Sequence, residues 1–523
     1  MRTIALVLCL AAASAADHWV AVDGIDSPDR GSREQPLRSI GYAVERAVQP
    51  GDTVTVRAGV WRDERIRFRA SGSPGRPITL QGEPGAEVVL KGSTPIADGD
   101  WREHAPGVWQ APWPHYFGRF DPRLTDGDEA NDPDPKRVYN RGQLYPRNRF
   151  FADGRILAEA ERAEGLADGE FFIDRAAKTV LLRLADGAAP AGRLIEGTSS
   201  EGPVIATWGH AHLVIRNLRI VHLANGTQGS GAVRISGPYG PHARRWPSGT
   251  NESVLLEDVA ISWTAGTALS VGGRGHIVRR CDLDDNGQNG LHVSGAKGCR
   301  FEQVRWRRNN AHPGRQFDWG WEAVMKVAAS QDCVFDRCEA SDNRGMGFWV
   351  DGPWNRRNAL LNSVIRNNAA QGVRLEISLE TTVANCLIVG NRQAAIEISA
   401  AIANRIVHNT IVGNHSNAIG VGRYEGRFDG NTRAMSSYGN VMLNNIVVDN
   451  QRDRYGKSWI YGIAPKDTSG MLPTEVKEAP PYAPNRSDHN WFGFTDRRED
   501  GREFFIVGGR FSDLASYQEA TGQ

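Results

Sequence analysis

A five-residue pattern of alternating apolar and polar positions recurs between residues 323 and 422. The segments begin at residues 324, 347, 372, 395 and 418, so successive starts lie 23, 25, 23 and 23 residues apart. Their second and fourth positions are always apolar, which is typical of a strand with one face in a core. A fixed repeat of this length predicts a solenoid whose repeats bury their apolar faces against one another. The segments read VMKVA, GFWVD, GVRLE, AIEIS and AIGVG.

The same frame extends toward the N-terminus, with asparagines between the predicted strands. GLHVS (290–294), ALSVG (268–272) and AVRIS (232–236) fit it. No helical periodicity intervenes, which argues against alternating strands and helices. Asparagine tolerates left-handed backbone and bonds its own turn, so a column of turn asparagines is expected in a coiling chain. The pattern predicts an all-β protein, a right-handed parallel β-helix of roughly ten coils. The turn asparagines are Asn286, Asn309, Asn343, Asn367, Asn391 and Asn414.

The parts outside these coils have different patterns. Residues 1–16 contain Arg2, an apolar run and Ala13-Ser14-Ala15, which predicts a secretory signal peptide. Residues 17–96 are assigned to an N-terminal cap and the first coils. There Ser39 is expected to cap a helix whose apolar residues, spaced i, i+3, i+4 and i+7, cover the open end of the solenoid. Those residues are Ile40, Ala43, Val44 and Ala47.

The remaining boundaries follow from where the coil frame stops. Residues 97–202 lose the frame and contain hairpin-like stretches, which predicts an inserted small β-rich subdomain. Residues 203–450 are expected to form the coils with the active groove, and residues 451–523 to form C-terminal loops and a cap.

Charge and composition narrow the function classes. The net charge is +1, from 62 basic and 61 acidic residues, so bulk charge gives no support for binding to nucleic acid or to an acidic membrane surface. No apolar run of about 18 residues follows the predicted signal peptide, so no membrane insertion is expected. The mature chain is expected to be soluble, secreted to the periplasm or beyond, and monomeric.

Five cysteines follow the predicted signal peptide, and an odd number cannot pair completely. Cys281, Cys338 and Cys386 each precede a turn asparagine by five residues, which predicts a buried column of free thiols. The spacing of Cys and His offers no zinc site, and the metal remains unknown.

The outward positions of the frame carry the candidate chemistry. Asp351 and Glu376 hold the same position on successive coils, and neighbouring strands lie ~4.8 Å apart. Their carboxyl groups are therefore expected at about the ~5–5.5 Å separation of a retaining glycosidase pair. Mutual repulsion of two such carboxylates is expected to raise one pKa and supply a proton donor. Lys326 and Glu397 complete the predicted catalytic set.

Substrate contacts are predicted around this pair. The outward column contains His292, Trp349 and Arg374, and an insertion at 312–322 brings Trp319, Trp321 and Glu322 toward it. Exposed aromatic planes beside polar groups suit sugars, whose C–H faces are apolar and whose hydroxyls need partners. Mutual salt bridges on a solvated face are the alternative explanation for the charges.

The stretch HWVAVDGIDSPDRGSREQPLRSIGYAVERAVQPGDTVTVRAGVW (18–61) and the coils resemble the pectate lyase-like, right-handed parallel β-helix superfamily. Glu322/Lys326, Trp349/Asp351 and Glu376–Ser378 resemble motifs of secreted bacterial members. The resemblance implies polysaccharide lyases, hydrolases or epimerases, and a fold does not choose among them.

Three functions therefore stay open from the sequence. A glycoside hydrolase that needs no cofactor is favoured, because the best-matched pair is two carboxylates. A uronate lyase or C5-epimerase would use Lys326 or His292 as base, with Ca²⁺ held by acidic residues. A non-catalytic scaffold that binds polysaccharide or oligosaccharide is the third.

Overall fold

The computed structural model describes most of the chain. The described residues are 15–120, 145–185, 187–226, 230–236, 251–312, 325–352, 354–422, 428–429, 433–434, 437, 439–450, 461–463, 486–493, 505–507 and 510–511. The predicted signal-peptide cleavage site and the predicted insertion at 312–322 lie mostly outside them.

Two long parallel sheets wind along the described part of the chain. Each coil gives one strand to a 13-stranded sheet, called here the front sheet, and most coils give two strands to a 23-stranded sheet, the back sheet. The front-sheet strands are Ile66–Arg67, Ile205–Ala206, Val233–Ile235, Leu269–Arg274, Leu291–Lys297, Met325–Ala328, Phe348–Val350, Val373–Glu376, Ile396–Ser399, Ile419–Gly422, Tyr461–Ile463, Phe505–Val507 and Arg510–Phe511, the last of which pairs antiparallel. The back-sheet strands are Asp17–Val20, Thr53–Val56, Gly59–Arg62, Ile78–Gly82, Val88–Lys91, Leu213–Val221, Val254–Ser262, Ile277–Arg279, Asp282–Asp284, Arg300–Glu302, Arg305–Arg307, Val334–Asp336, Glu339–Ser341, Ala359–Leu361, Val364–Arg366, Thr382–Ala384, Leu387–Val389, Arg405–Val407, Thr410–Val412, Val441–Leu443, Ile446–Val448, Arg486–Asp488 and Trp491–Gly493.

The predicted inner positions form the core. Phe348, Val350, Val373 and Leu375 are fully buried, as are their counterparts on neighbouring coils. Strands around the candidate site align without a shift, for example Phe348 with Val373 and then Val373 with Ile396. The right-handed parallel β-helix predicted from the period is confirmed.

Asparagines line the inside of one corner of the solenoid, and their role differs from the predicted one. The ladder contains Asn368, not the predicted Asn367, and its members do not adopt the left-handed conformation. That conformation belongs to the residue just before each ladder position, such as Asp342 and Asn367. Asn391 Oδ1 accepts both the backbone N–H and the side-chain amide of Asn368, at 3.1 and 2.9 Å. Side-chain amides thus replace the ladder hydrogen bonds that the bend interrupts.

The five described cysteines are free and buried, and they include the predicted column of Cys281, Cys338 and Cys386. Burial raises the pKa of Cys281, Cys338 and Cys386 to about 12, so these thiols stay protonated and act as small apolar groups.

A short helix, Ile40–Arg46, packs its predicted apolar face into the core near the N-terminal end. The expected Ser39 cap is wrong, because the Ser39 hydroxyl donates to Asp26 instead. Glu64 accepts the first backbone N–H groups, from Ile40 and Gly41, both at 3.0 Å. A one-turn 3₁₀ helix spans Asp98–Asp100. No helix among the described residues is long and apolar enough to cross a membrane.

The inserted β-rich subdomain pairs its strands mostly antiparallel and has its own core, which includes Phe150, Phe171 and Leu182. Glu196 of this subdomain is almost fully buried and forms ion pairs with Arg62 at 2.8 Å and with Lys91 at 2.5 Å. These ion pairs tie the subdomain to the coils. Its strands are Ser93–Pro95, Phe150–Ala152, Arg155–Ile156 and Ile195–Thr198 in one sheet, and Arg102–Ala105, Val108–Pro112, Ala158–Glu159, Glu170–Asp174 and Thr179–Arg183 in another.

Three further two-stranded pairs complete the described strands. They are Arg119–Phe120 with Tyr145–Pro146, Asn355–Arg356 with Ser378–Leu379, and Phe428–Asp429 with Arg433–Ala434.

Candidate active site

The front sheet stacks the predicted candidates in one column. His292 pairs with Lys326, Lys326 with Trp349, Trp349 with Arg374, and Arg374 with Glu397. Asp351 follows the strand Phe348–Val350 directly, and Glu376 ends the strand Val373–Glu376. The shared apolar register therefore brings the five side chains of this column to one face, together with the carboxylates of Asp351 and Glu376.

The expectation that this face is exposed is wrong. Lys326 is 6% exposed, Asp351 7% and Glu376 1%. Lys326 and Trp349 each contact a carboxylate on the next coil, Asp351 and Glu376 respectively. The site is thus a nearly dry cluster of charges, in which electrostatic interactions are stronger than in water.

Asp351 is held by an ion pair to the preceding coil. Lys326 Nζ donates to Asp351 Oδ2 at 2.7 Å, and the Gly352 N–H donates to Oδ1 at 2.7 Å. The ammonium also lies over the Trp349 ring, 3.9 Å from its centre, which adds a cation–π contact. One oxygen of Asp351 thus faces a full charge and the other a backbone dipole.

Glu376 is held differently. The Trp349 indole Nε1–H donates to Glu376 Oε2 at 3.2 Å. Arg374 Nε approaches the same oxygen at 3.1 Å, at an angle that makes an ion-pair contact but no hydrogen bond. The two carboxylates therefore do not face each other as uncompensated like charges. Such repulsion was the basis of the predicted pKa difference between them. Each has its own cation, and Asp351 has the stronger, directly bonded one.

The remaining column members have distinct environments. Glu397 accepts a 2.5 Å hydrogen bond from the amide of Gln371, a residue that the sequence pattern did not single out because it lies in the turn before the strand. Burial, and to a lesser extent the Lys326 ammonium, lowers the pKa of His292 to about 3. The imidazole is therefore neutral and a very weak base at neutral pH.

Other predicted contacts fall beyond what the structure describes. Trp319, Trp321 and Glu322 lie in the undescribed 313–324 segment. Trp354, close to the site in sequence, is 48% exposed and has a left-handed backbone. The described residues contain no group of three or more His, Cys, Asp or Glu side chains that could hold a metal ion.

Comparisons with known proteins agree with this architecture. Residues 248–414 match the family model for a right-handed beta helix region, and residues 39–101 match that for Chondroitinase B. The solved complex of XylC with xylose superimposes with a TM-score of 0.65 at 16% identity, covering 92% of this chain and 87% of that one. No curated protein matches the chain.

Two other solved structures superimpose less well. The AlgE4 A-module of the Azotobacter vinelandii mannuronan C-5 epimerase has a TM-score of 0.45 at 12% identity, covering 94% of this chain and all of that one. Pectate lyase Pel9A has a TM-score of 0.40 at 11% identity, with 88% and 83% covered. The fold and the family-model match together define the class as a right-handed parallel β-helix, the architecture of the pectate lyase-like superfamily that the sequence resembles.

Proposed function

We propose that the protein is a carbohydrate-active enzyme, a glycoside hydrolase that works through Asp351 and Glu376. The observation that carries the proposal is the pair of buried carboxylates at the ends of neighbouring strands, one bonded to Lys326 and the other to the Trp349 indole. Neighbouring coils lie ~4.8 Å apart, close to the ~5–5.5 Å between the carboxyl groups of a retaining enzyme.

The different partners of the two carboxylates suggest their roles. Asp351, bonded to an ammonium and a backbone N–H, serves as the nucleophile. Glu376, which accepts from the neutral Trp349 indole and has Arg374 Nε at 3.1 Å without a hydrogen bond, serves as proton donor and then as base. Lys326 and Arg374 position the carboxylates, while Glu397 and His292 supply hydrogen-bonding groups for sugar hydroxyls. Trp349, with the predicted Trp319, Trp321 and Glu322, completes the substrate-binding set.

The reaction balances with these groups alone. The Asp351 carboxylate attacks the anomeric carbon while the glycosidic C–O bond breaks and the leaving oxygen takes the Glu376 proton. Water then attacks the glycosyl-enzyme, loses its proton to Glu376, and releases Asp351. The anomeric configuration is retained.

A uronate lyase or C5-epimerase is the second candidate, because Lys326 and Arg374 offer two cations that would neutralise a uronate carboxylate. Its proposed bases fit poorly. The Lys326 ammonium donates its protons to Asp351, and His292 is a very weak base. Ca²⁺ belongs only to this alternative.

The decisive experiment uses Asp351→Asn and Glu376→Gln in the full chain, with Glu380→Gln as the matched control. Glu380 pairs with Arg356 outside the cluster. Aryl glycosides, beginning with xylosides because the similar solved complex contains xylose, are compared with neutral and acidic polysaccharides. Both amides are expected to lower turnover by ~10²-fold or more, with the control unchanged.

Leaving groups separate the two roles. Glu376→Gln is expected to lose least on substrates with highly activated phenol leaving groups, which need no proton, whereas Asp351→Asn loses turnover on all of them. An unsaturated product absorbing in the ultraviolet selects the lyase. Binding without turnover selects the scaffold. Full activity in both amides together with its loss in Lys326→Met overturns the hydrolase proposal.

A further inference from the structure

A second groove runs along the back sheet, away from the candidate active site. In the coils from residue 277 onward, two back-sheet strands are separated by a two-residue corner, such as Gln303-Val304 between Arg300–Glu302 and Arg305–Arg307. The first corner residue adopts a left-handed conformation in successive coils. The groove that these corners line has a volume of about 860 Å³.

Two columns of side chains form the groove and continue past it toward the C-terminus. The corner column comprises Asn217, Asp258, Arg280, Gln303, Arg337 and Asn362, and continues as Asn385, His408, Asn444 and His489. The wall column pairs Ala260, Asp282, Arg305, Glu339 and Val364 in register, and continues as Leu387, Thr410, Ile446 and Trp491. These two columns are called the back groove.

The chemistry of the back groove changes along its length. The N-terminal part of the back groove, which contains the volume of about 860 Å³, is lined by four acidic and four basic residues. Six of the eight form ion pairs with one another, Glu87 with Arg219, Asp258 with Arg280 at 2.8 Å and Asp282 with Arg305 at 2.5 Å. Neither charge is in excess, so a polyanion or polycation finds no complementary surface.

The C-terminal part presents apolar surface beside amides. Leu387 is 40% exposed, Ile446 44% and Trp491 60%. The corner column beside them carries hydrogen-bonding groups, with Asn385 Nδ2 donating to Asn362 Oδ1 at 3.3 Å. An exposed indole beside a column of amide and imidazole groups offers both contacts that a sugar chain uses, an apolar surface for its C–H faces and partners for its hydroxyls.

We propose that the back groove is a second carbohydrate site, which holds a neutral, linear polysaccharide along the solenoid axis with Trp491 stacked on a sugar ring. The ligand class rests on the proposed function, and the site is separate from its catalytic groups. A linear polymer fits because both columns are straight and repeat with every coil, ~4.8 Å apart. The balanced ion pairs select a neutral chain over a uronate polymer.

The test measures retardation of the full chain in native gels that contain linear β-1,4-linked xylan, soluble hydroxyethyl cellulose or polygalacturonate. Trp491→Ala and Ile446→Ser are compared with Ile25→Ser, which alters an isoleucine of similar exposure, 54%, outside the groove. The first two are expected to weaken binding to a neutral polymer about tenfold, as for a contact at the centre of a binding surface. Hydrolysis of small aryl glycosides is expected to stay unchanged in all three.

The outcomes separate this proposal from the proposed function. Neutral-polymer binding that depends on Trp491 without hydrolysis of any glycoside supports the back groove and rejects the hydrolase. Hydrolysis with no Trp491-dependent retardation rejects the back groove alone. Retardation only by polygalacturonate also overturns it, as does a Trp491-dependent dimer in sedimentation, which would make the patch a contact between copies.

Discussion

At the residue scale, the candidate site is organised by ion pairs in a nearly dry environment. Lys326 and Asp351 lie 2.7 Å apart with little access to water. Removing one partner from such a pair leaves an uncompensated buried charge, which costs far more than the intact pair contributes. Activity and stability are therefore coupled at this site, unlike at an exposed catalytic surface.

We predict that Asp351→Asn destabilises the fold by about 3–5 kcal/mol, because the Lys326 ammonium stays buried without its counterion. Adding Lys326→Met is expected to restore most of that stability, since neither charge then remains. Urea unfolding of both single variants and the double variant measures the coupling. Strictly additive effects would contradict the pairing. Turnover stays lost in the double variant, because the nucleophile is absent.

The buried side chain of His276 makes the stability of the fold depend on pH. His276 accepts the Val254 N–H at Nδ1 and donates to the Gly272 carbonyl from Nε2, both at 3.1 Å. Burial lowers its pKa from 6.5 to about 4. The unfolded chain therefore binds the proton more readily. The contribution of His276 to stability is complete above pH ~6.5 and falls by up to ~1.4 kcal/mol per pH unit toward pH 4.

We expect His276→Asn to make the unfolding free energy less dependent on pH between 6.5 and 4. An asparagine can keep the acceptor without the titration, as Asn358 does three coils further along the same column, where it accepts the Cys333 N–H at 3.1 Å. Urea unfolding at several pH values tests this, with the exposed His489→Gln as control. An unchanged slope in His276→Asn would refute the assignment.

The sequence could identify the site residues but not their environment. The register that places His292, Lys326, Trp349, Arg374 and Glu397 in one column follows from the apolar alternation alone. The burial of the column could not be predicted from it, since the alternation gives the register of a side chain but not its contacts on the next coil, such as Lys326 with Asp351. The Gln371 contact to Glu397 was missed because no repeat marks a single turn residue.

At the element scale, the corners are the least obvious feature of the solenoid. An Asn ladder and a left-handed residue share each turn, and the sequence has Asn367 and Asn368 side by side. Period and composition predict a turn asparagine there, but only the coordinates tell which one is buried. The capping helix shows the same limit, since its apolar face was predictable whereas its cap, Glu64, lies 24 residues from Ile40.

These neighbours give a matched pair of substitutions. Asn368 exchanges hydrogen bonds with Asn343, Asn391 and Ala340, all buried, whereas Asn367 is exposed and left-handed. We predict that Asn368→Ala costs at least ~2 kcal/mol, because buried donors and acceptors lose their partners. Asn367→Gly, which keeps the backbone conformation accessible, is expected to change stability little. Equal losses measured by thermal unfolding would reject the ladder.

At the scale of the whole molecule, the solenoid presents two faces with different chemistry on one core. The front sheet concentrates its charges in a few coils around Lys326, and the back sheet passes from ion pairs near Asp282 to apolar groups near Ile446. Each outward column keeps one register over many coils. Residues of one chemical type at the same position of successive repeats therefore form a continuous strip on the surface. The repeat length predicted these strips, whereas the tie through Glu196 to the inserted subdomain carries no repeat and was not predictable.

The N-terminal end of the solenoid supports the last prediction, that export removes the chain ahead of Ala16 or Asp17. Asp17 begins the first strand and pairs with Thr53, and the Ala16 N–H donates to Asp52 Oδ1 at 2.8 Å. Cleavage after Ala15 or Ala16 therefore leaves the first back-sheet strand complete, whereas cleavage further along would remove part of it. Mass spectrometry of protein recovered outside the cytoplasm is expected to find one of these two termini. Ala15→Arg combined with Ala16→Arg, which removes the small residue directly before each of the two cleavage positions, should leave the chain uncleaved. Intact Met1 on exported wild-type protein would refute the prediction without affecting the fold.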